Sequence, residues 1–102
     1  MYSSSIEHLL VTACKLADYD SALRLVNTGA NVNGTNEIGV SVLMFAVMRG
    51  DIRIVQLLLE SGADADHTDD TGKTALWLAE GFKHEEIATL LRHWKVPQQS
   101  NG

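Results

Sequence analysis

The chain is built on an internal period. Gly29-Ala30-Asn31-Val32-Asn33 returns as Gly62-Ala63-Asp64-Ala65-Asp66, an offset of 33 residues. The same offset carries Gly39-Val40-Ser41-Val42-Leu43 onto Gly72-Lys73-Thr74-Ala75-Leu76, and Ile54-Val55-Gln56-Leu57-Leu58 onto Ile87-Ala88-Thr89-Leu90-Leu91. One period back, Ala13 falls under Ala46, Asp18 under Asp51 and Leu25 under Leu58. A repeat of this length is one supersecondary unit that cannot bury its apolar face alone and must stack on its neighbours. The units are expected at about 1–33, 34–66 and 67–95, forming one domain over 1–95, with a flexible tail at 96–102 in which Pro97 ends any helix.

Within each unit the apolar spacing is helical twice over. Leu43, Phe45, Ala46 and Val47 mark a short first helix, Gly50-Asp51 a break, and Ile52, Ile54, Val55, Leu58 and Leu59 a second helix that Gly62 stops. The stretch from Asn33 to Gly39 is rich in Asn and Gly and reads as a turn. With 45% apolar residues, 6% aromatic and one proline, the composition agrees with an all-α chain. The single Cys14 cannot form an internal disulfide and no Cys/His cluster has zinc spacing, so packing alone must hold the domain.

These residues resemble the ankyrin repeats over residues 3 to 95. The middle unit carries the resemblance in Gly39, Ser41, Leu43, Ala46, Gly50-Asp51, Ile54-Val55-Gln56-Leu57-Leu58-Leu59 and Gly62-Ala63-Asp64; the third carries it in Gly72, Thr74, Leu76, Ala79, Ile87, Leu90 and Leu91. The resemblance implies a short all-α solenoid of three helix-turn-helix units with β-turn finger loops between them. Departures are visible. The proline of the family's first helical turn is replaced by Leu9, Val42 and Ala75, its histidine by Val11, Met44 and Trp77, and its inter-helix glycine by Lys83 in the third unit. Trp77 and Trp94 are expected as buried caps, because Trp is large and seldom left wet.

A stack must hide the outer faces of its end units. Where the middle unit has Val47 and Leu59 the third has Glu80 and Arg92; where it has Phe45, Ile54 and Leu57 the first has Thr12, Ser21 and Arg24. Ser4 with Glu7 offers a capping box at the first helix. The expectation is a finished three-repeat protein, capped at both ends.

Charge removes several function classes. Eight Lys plus Arg stand against 13 Asp plus Glu, a formal charge of −5, so the chain lacks the basic excess that draws nucleic acid or anionic membrane. The N-terminal stretch has no basic leader, and Thr12 and Lys15 interrupt its apolar run, so neither a secretory signal nor a membrane span is read there. A cytoplasmic, reducing location is expected. Asp64-Ala65-Asp66-His67-Thr68-Asp69-Asp70 has carboxylates at alternate positions, but Asp69 stands where a calcium loop needs Gly and Ala75 where it needs Glu. His8, His67, His84 and His93 are scattered, Cys14 reads as packing, and the glycines are too dispersed for a phosphate loop. No catalytic residue, metal or cofactor is expected, and the chain is not expected to be an enzyme.

What the resemblance implies is binding of a protein partner through the concave face formed by finger tips and first helices, as a small inhibitor or an adaptor. The alternative is a small-molecule- or metal-responsive protein using the acidic turn Asp64 to Asp70. Carried over by position, the tip residues are Glu37, Ile38 and Val40 in the middle unit and Asp70, Thr71 and Lys73 in the third. The first-helix residues before the loop include Lys15, Leu16, Met48, Arg49 and Phe82. Met48 and Phe82 are assigned to binding because neither lies on the inward face of the helical pattern. Ile38 and Val40 can equally pack the turns against one another, and Leu16 can fill the gap between helices. A monomer is expected, with the apolar column as the route to any weak self-association.

Overall fold

A computed structural model describes residues 5–94. Six helices follow one another: α1 Ser5–Lys15, α2 Tyr19–Thr28, α3 Val42–Arg49, α4 Ile52–Glu60, α5 Ala75–Gly81 and α6 Glu85–Trp94. They form three antiparallel pairs, α1 with α2, α3 with α4 and α5 with α6, each pair stacked on the next through α1–α3–α5 and α2–α4–α6. Among the described residues the only β pairing is two isolated antiparallel bridges, Thr35 with Ser41 and Thr68 with Thr74, which pinch the loops between pairs into fingers. Lys95 and the expected tail at 96–102 lie outside the described residues, as does Ser4 of the expected capping box.

Local chemistry sets the boundaries. Ser41 Oγ accepts from Met44 N at 3.1 Å and Thr74 Oγ1 from Trp77 N at 3.1 Å, starting the first helices of units two and three. Asp18 accepts from Ser21 N and Asp51 from the N–H groups of Arg53 and Ile54, starting the second helices of units one and two. Each satisfies amides that the helix itself leaves unpaired. The hydrogen bonds from Ser21 hold the Asp18 carboxyl below its usual range.

The period is also legible in the loops between paired helices. Ala17, Gly50 and Lys83 occupy one column of the repeat, and all three adopt positive φ, at 57°, 86° and 62°. Lys83 therefore keeps the family's loop geometry without its glycine, at a steric cost. Gly50 is constrained further, because a Cβ there would lie 2.7 Å from the His84 ring.

The core runs through the stack as Leu10, Cys14, Leu43, Met44, Val47, Ile54, Val55 and Leu58, all essentially inaccessible. Burial pushes the Cys14 thiol up to about 12, so it packs as a small hydrophobe. Met44 stands where the family has its histidine; its backbone N–H is held by Ser41 Oγ, and its Sδ lies 3.4 Å from Ser41 N, so the thioether takes over part of the turn bracing.

The two end faces differ. At the C-terminal end Glu80 and Arg92 pair at 3.1 Å, both half exposed, in place of the middle unit's buried Val47 and Leu59. The N-terminal face is less polar than expected. Leu9 and Leu16 are 56% and 68% exposed and, with Leu25, line a groove of about 430 Å³ between α1 and α2. Glu7 is 6% exposed, and its Oε2 accepts from Asn31 N at 2.8 Å. One repeat on, the equivalent Asp64 N–H is taken by Asn33 of the preceding finger. Glu7 thus does for the first unit what a neighbouring repeat does for the next.

Trp77 departs from expectation. It shares a column with Val11 and Met44, which the following unit covers; no described unit follows the third, so Trp77 is 51% exposed instead of buried. Trp94 is half-buried against the core, closer to the expected cap.

Candidate functional site

Each finger is held by one side chain. Asn36 Oδ1 accepts from Ile38 N at 3.0 Å and Val40 N at 2.9 Å, while Asn36 N donates to Val40 O. One period later, Asp69 Oδ1 accepts from Thr71 N at 2.8 Å, Thr71 Oγ1 at 2.7 Å and Lys73 N at 3.0 Å. An Asx side chain that satisfies several tip donors freezes the turn. The same donors hold the Asp69 carboxyl below its ordinary range, the Thr71 hydroxyl contributing most.

The fingers are then tied to one another. Asp70 N donates to Ile38 O at 3.0 Å, and His67 Nε2 donates to Gly39 O at 2.7 Å, which fixes the tautomer because a carbonyl can only accept. Asn33 donates through Nδ2 to Gly62 O and accepts from Asp64 N. Gly39, at φ 81°, approaches so closely that a Cβ would lie 2.9 Å from Asp70 Oδ1. The result is a braced edge on which Ile38 is 61% exposed and Glu37, Asp70 and Thr71 are exposed beside it.

The other expected residues divide. Val40 is half-buried and packs against the core. Lys73 is half-buried, its Nζ 3.1 Å from Thr71 Oγ1 and 4.8 Å from the centre of the Trp77 ring. Met48 is not the exposed contact assigned to it: its side chain is half-buried against the core, and its carbonyl receives His84 Nε2 at 3.4 Å. Phe82 is 51% exposed with its ring stacked on His84 at 5.8 Å. Leu16 does not fill an inter-helix gap but projects from the N-terminal face, Arg49 is exposed, and Lys15 places Nζ 4.9 Å from the Phe45 ring centre.

These residues do not form one patch. The tips precede the first helices, while Arg49 ends α3 and Leu16 and Phe82 follow α1 and α5, so the eight residues of α3 separate the two groups by about 12 Å at 1.5 Å rise per residue. Two features escaped sequence reasoning. The inter-finger ladder through Asn33 and His67 depends on contacts between units, and no motif signals it. Trp77 could have been found, since its column is covered only when another unit follows.

The acidic turn does not gather its groups. Asp64 Oδ1 accepts from Asp66 N, Asp69 Oδ1 serves its own tip, and His67 is engaged with Gly39. Among the described residues no three His, Cys, Asp or Glu side chains converge as a metal site. None of the described helices is long and apolar enough to cross a membrane.

A family model described as ankyrin repeats, in three copies, matches residues 10–100. The ankyrin repeat protein YahD of Escherichia coli is 47% identical over 72 residues, covering 66% of this chain and 36% of YahD. The transcription factor TOXE of Cochliobolus carbonum is 46% identical over 65 residues, 64% of this chain and 15% of that protein. Potassium channel AKT1 of Arabidopsis thaliana is 33% identical over 90 residues, 88% of this chain and 10% of the channel. The chain thus spans little more than a third of YahD and smaller parts of the other two. Three copies of the repeat, the fold they build and the match over most of its length place this chain in the ankyrin repeat family.

Proposed function

We propose that this chain docks a partner protein through the finger edge of its stack, with Ile38 as the apolar contact and Glu37, Asp70, Thr71 and Lys73 around it. Ankyrin repeats are generally protein–protein interaction modules, and the family is generally non-enzymatic. The observation that carries the finer reading is that Ile38 stands 61% exposed on a tip whose backbone is locked by Asn36 and by the Asp70 amide. An apolar side chain on a pre-ordered backbone loses little entropy when a partner covers it, which is what makes a binding contact efficient. Leu16, Arg49 and Phe82, at the far end of the first helices, form a second contact region for a partner long enough to reach it, with Lys15 at its edge and Met48 beneath. A small inhibitor that masks its partner suits the single braced edge better than an adaptor, which needs two independent surfaces.

The test is affinity capture with the tagged chain beside Ile38→Glu and Phe82→Glu variants, each verified as folded by circular dichroism. Loss of the same protein with Ile38→Glu supports the finger edge. Retention by Ile38→Glu with loss by Phe82→Glu moves the site to the loop end, and retention by both refutes the assignment.

A further inference from the structure

The acidic character of this chain is concentrated on the fingers. The segments 30–41 and 63–74 hold five carboxylates, Glu37, Asp64, Asp66, Asp69 and Asp70, against the single Lys73. That is a net −4 of the chain's −5, so the rest of the chain is nearly neutral. The one lysine is held in, bonded to Thr71 and lying over Trp77. Glu37 and Asp70 are exposed on either side of the exposed Ile38, Glu37 as its chain neighbour and Asp70 through the 3.0 Å bond to the Ile38 carbonyl, and neither makes a salt bridge among the described residues.

We infer that the finger edge recognises a basic protein segment, one that offers an aliphatic or aromatic side chain to Ile38 and Lys or Arg side chains to Glu37 and Asp70. The inference rests on the finger edge being the docking surface and adds the chemistry of what docks. Charge complementarity selects the partner and speeds encounter, while the apolar contact supplies the short-range attraction. The same field turns away acidic segments, since placing a carboxylate opposite Glu37 or Asp70 costs affinity.

The experiment selects short random-sequence peptides by display on the immobilised chain and measures the synthesised winners by fluorescence anisotropy. The expected winners carry at least two Lys or Arg around an apolar residue. Their affinity is expected to fall by about tenfold or more between about 0.05 M and 0.5 M salt, as the screening length shortens. Glu37→Lys with Asp70→Lys is expected to weaken them by a similar factor, and the milder Glu37→Gln with Asp70→Asn by less. Glu85→Lys with Glu86→Lys makes the same change in net charge on α6, away from the fingers, and is expected to leave affinity within about twofold.

Neutral or acidic winners, winners indifferent to salt, equal losses with the α6 variant, or no winners at all would overturn the basic-partner inference. If winners of whatever charge bind Ile38→Glu as well as they bind the parent, it is the finger-edge reading that fails.

Discussion

Substituting Gly50 by Ala tests the inter-helix column most sharply, because the column contains its own control. Ala17 already holds φ 57° in the first unit, so an alanine can occupy this backbone. What differs is the residue across the junction. Opposite Ala17 the column supplies Asp51, whose carboxylate turns back to cap its own helix; opposite Gly50 it supplies His84, whose ring reaches toward the Met48 carbonyl. A Cβ at Gly50 would lie 2.7 Å from His84 Cε1 and 2.9 Å from Nε2, so the ring must move and its bond to Met48 is lost. The left-handed backbone costs an L-residue about 1–2 kcal/mol, and the lost bond about 0.5–1.5 kcal/mol. Gly50→Ala is therefore expected to cost about 2–3 kcal/mol in urea unfolding followed by circular dichroism. Gly29→Ala, at φ 108° with nothing within 4 Å of its Cβ, should show the backbone term alone, about 1–2 kcal/mol. The double variant Gly50→Ala with His84→Ala removes the clash, so its loss should be smaller than the sum of the single losses by about 1 kcal/mol. Equal losses at Gly29 and Gly50, or strict additivity with His84→Ala, would refute the steric account.

Four further expectations follow from particular contacts. Lys83→Gly should be neutral or stabilise by up to about 1 kcal/mol, since φ 62° is strained for Lys and free for Gly; a clear loss in urea unfolding would mean that the lysine stem packs. Glu7→Ala should cost about 1–3 kcal/mol and raise hydrogen exchange at the Asn31 amide, whose carboxylate acceptor it removes. Trp77→Ala should cost about 1 kcal/mol or less while Met44→Ala in the same column costs about 2–5 kcal/mol, and comparable thermal shifts would show Trp77 to be core. Cys14, raised to about 12 from 9.0, binds its proton more tightly folded than unfolded, so its contribution to stability is complete below pH 9.0 and declines as pH climbs toward 12. At pH 8 its reaction with a thiol reagent should follow global unfolding, and rapid labelling of the native chain would contradict its burial.

The period of 33 residues, the apolar columns within it and the glycines between them determined the architecture before any coordinate did. These are local signals repeated at fixed spacing, and a stacked repeat is built from local signals, so the paired helices, the break at Gly50-Asp51 and the polar Glu80 and Arg92 on the third unit's outer face were all readable. The positive φ at Lys83 was not, because a lysine in the glycine column left the geometry of that loop open until the structure showed φ 62°. Tertiary structure decided what each column means at a given unit. Met48 and Phe82 looked alike in sequence, yet Met48 packs on the core with its carbonyl facing His84, while Phe82 shares a column with Leu16 and Arg49, which is exposed in all three units. Trp77 is exposed where Val11 and Met44 are buried because that column is covered by the following unit, and no described unit follows the third. The finger edge likewise arises between units, from Asp70 on Ile38, His67 on Gly39 and Asn33 on Gly62, contacts at separations of 28 to 32 residues that no local pattern encodes.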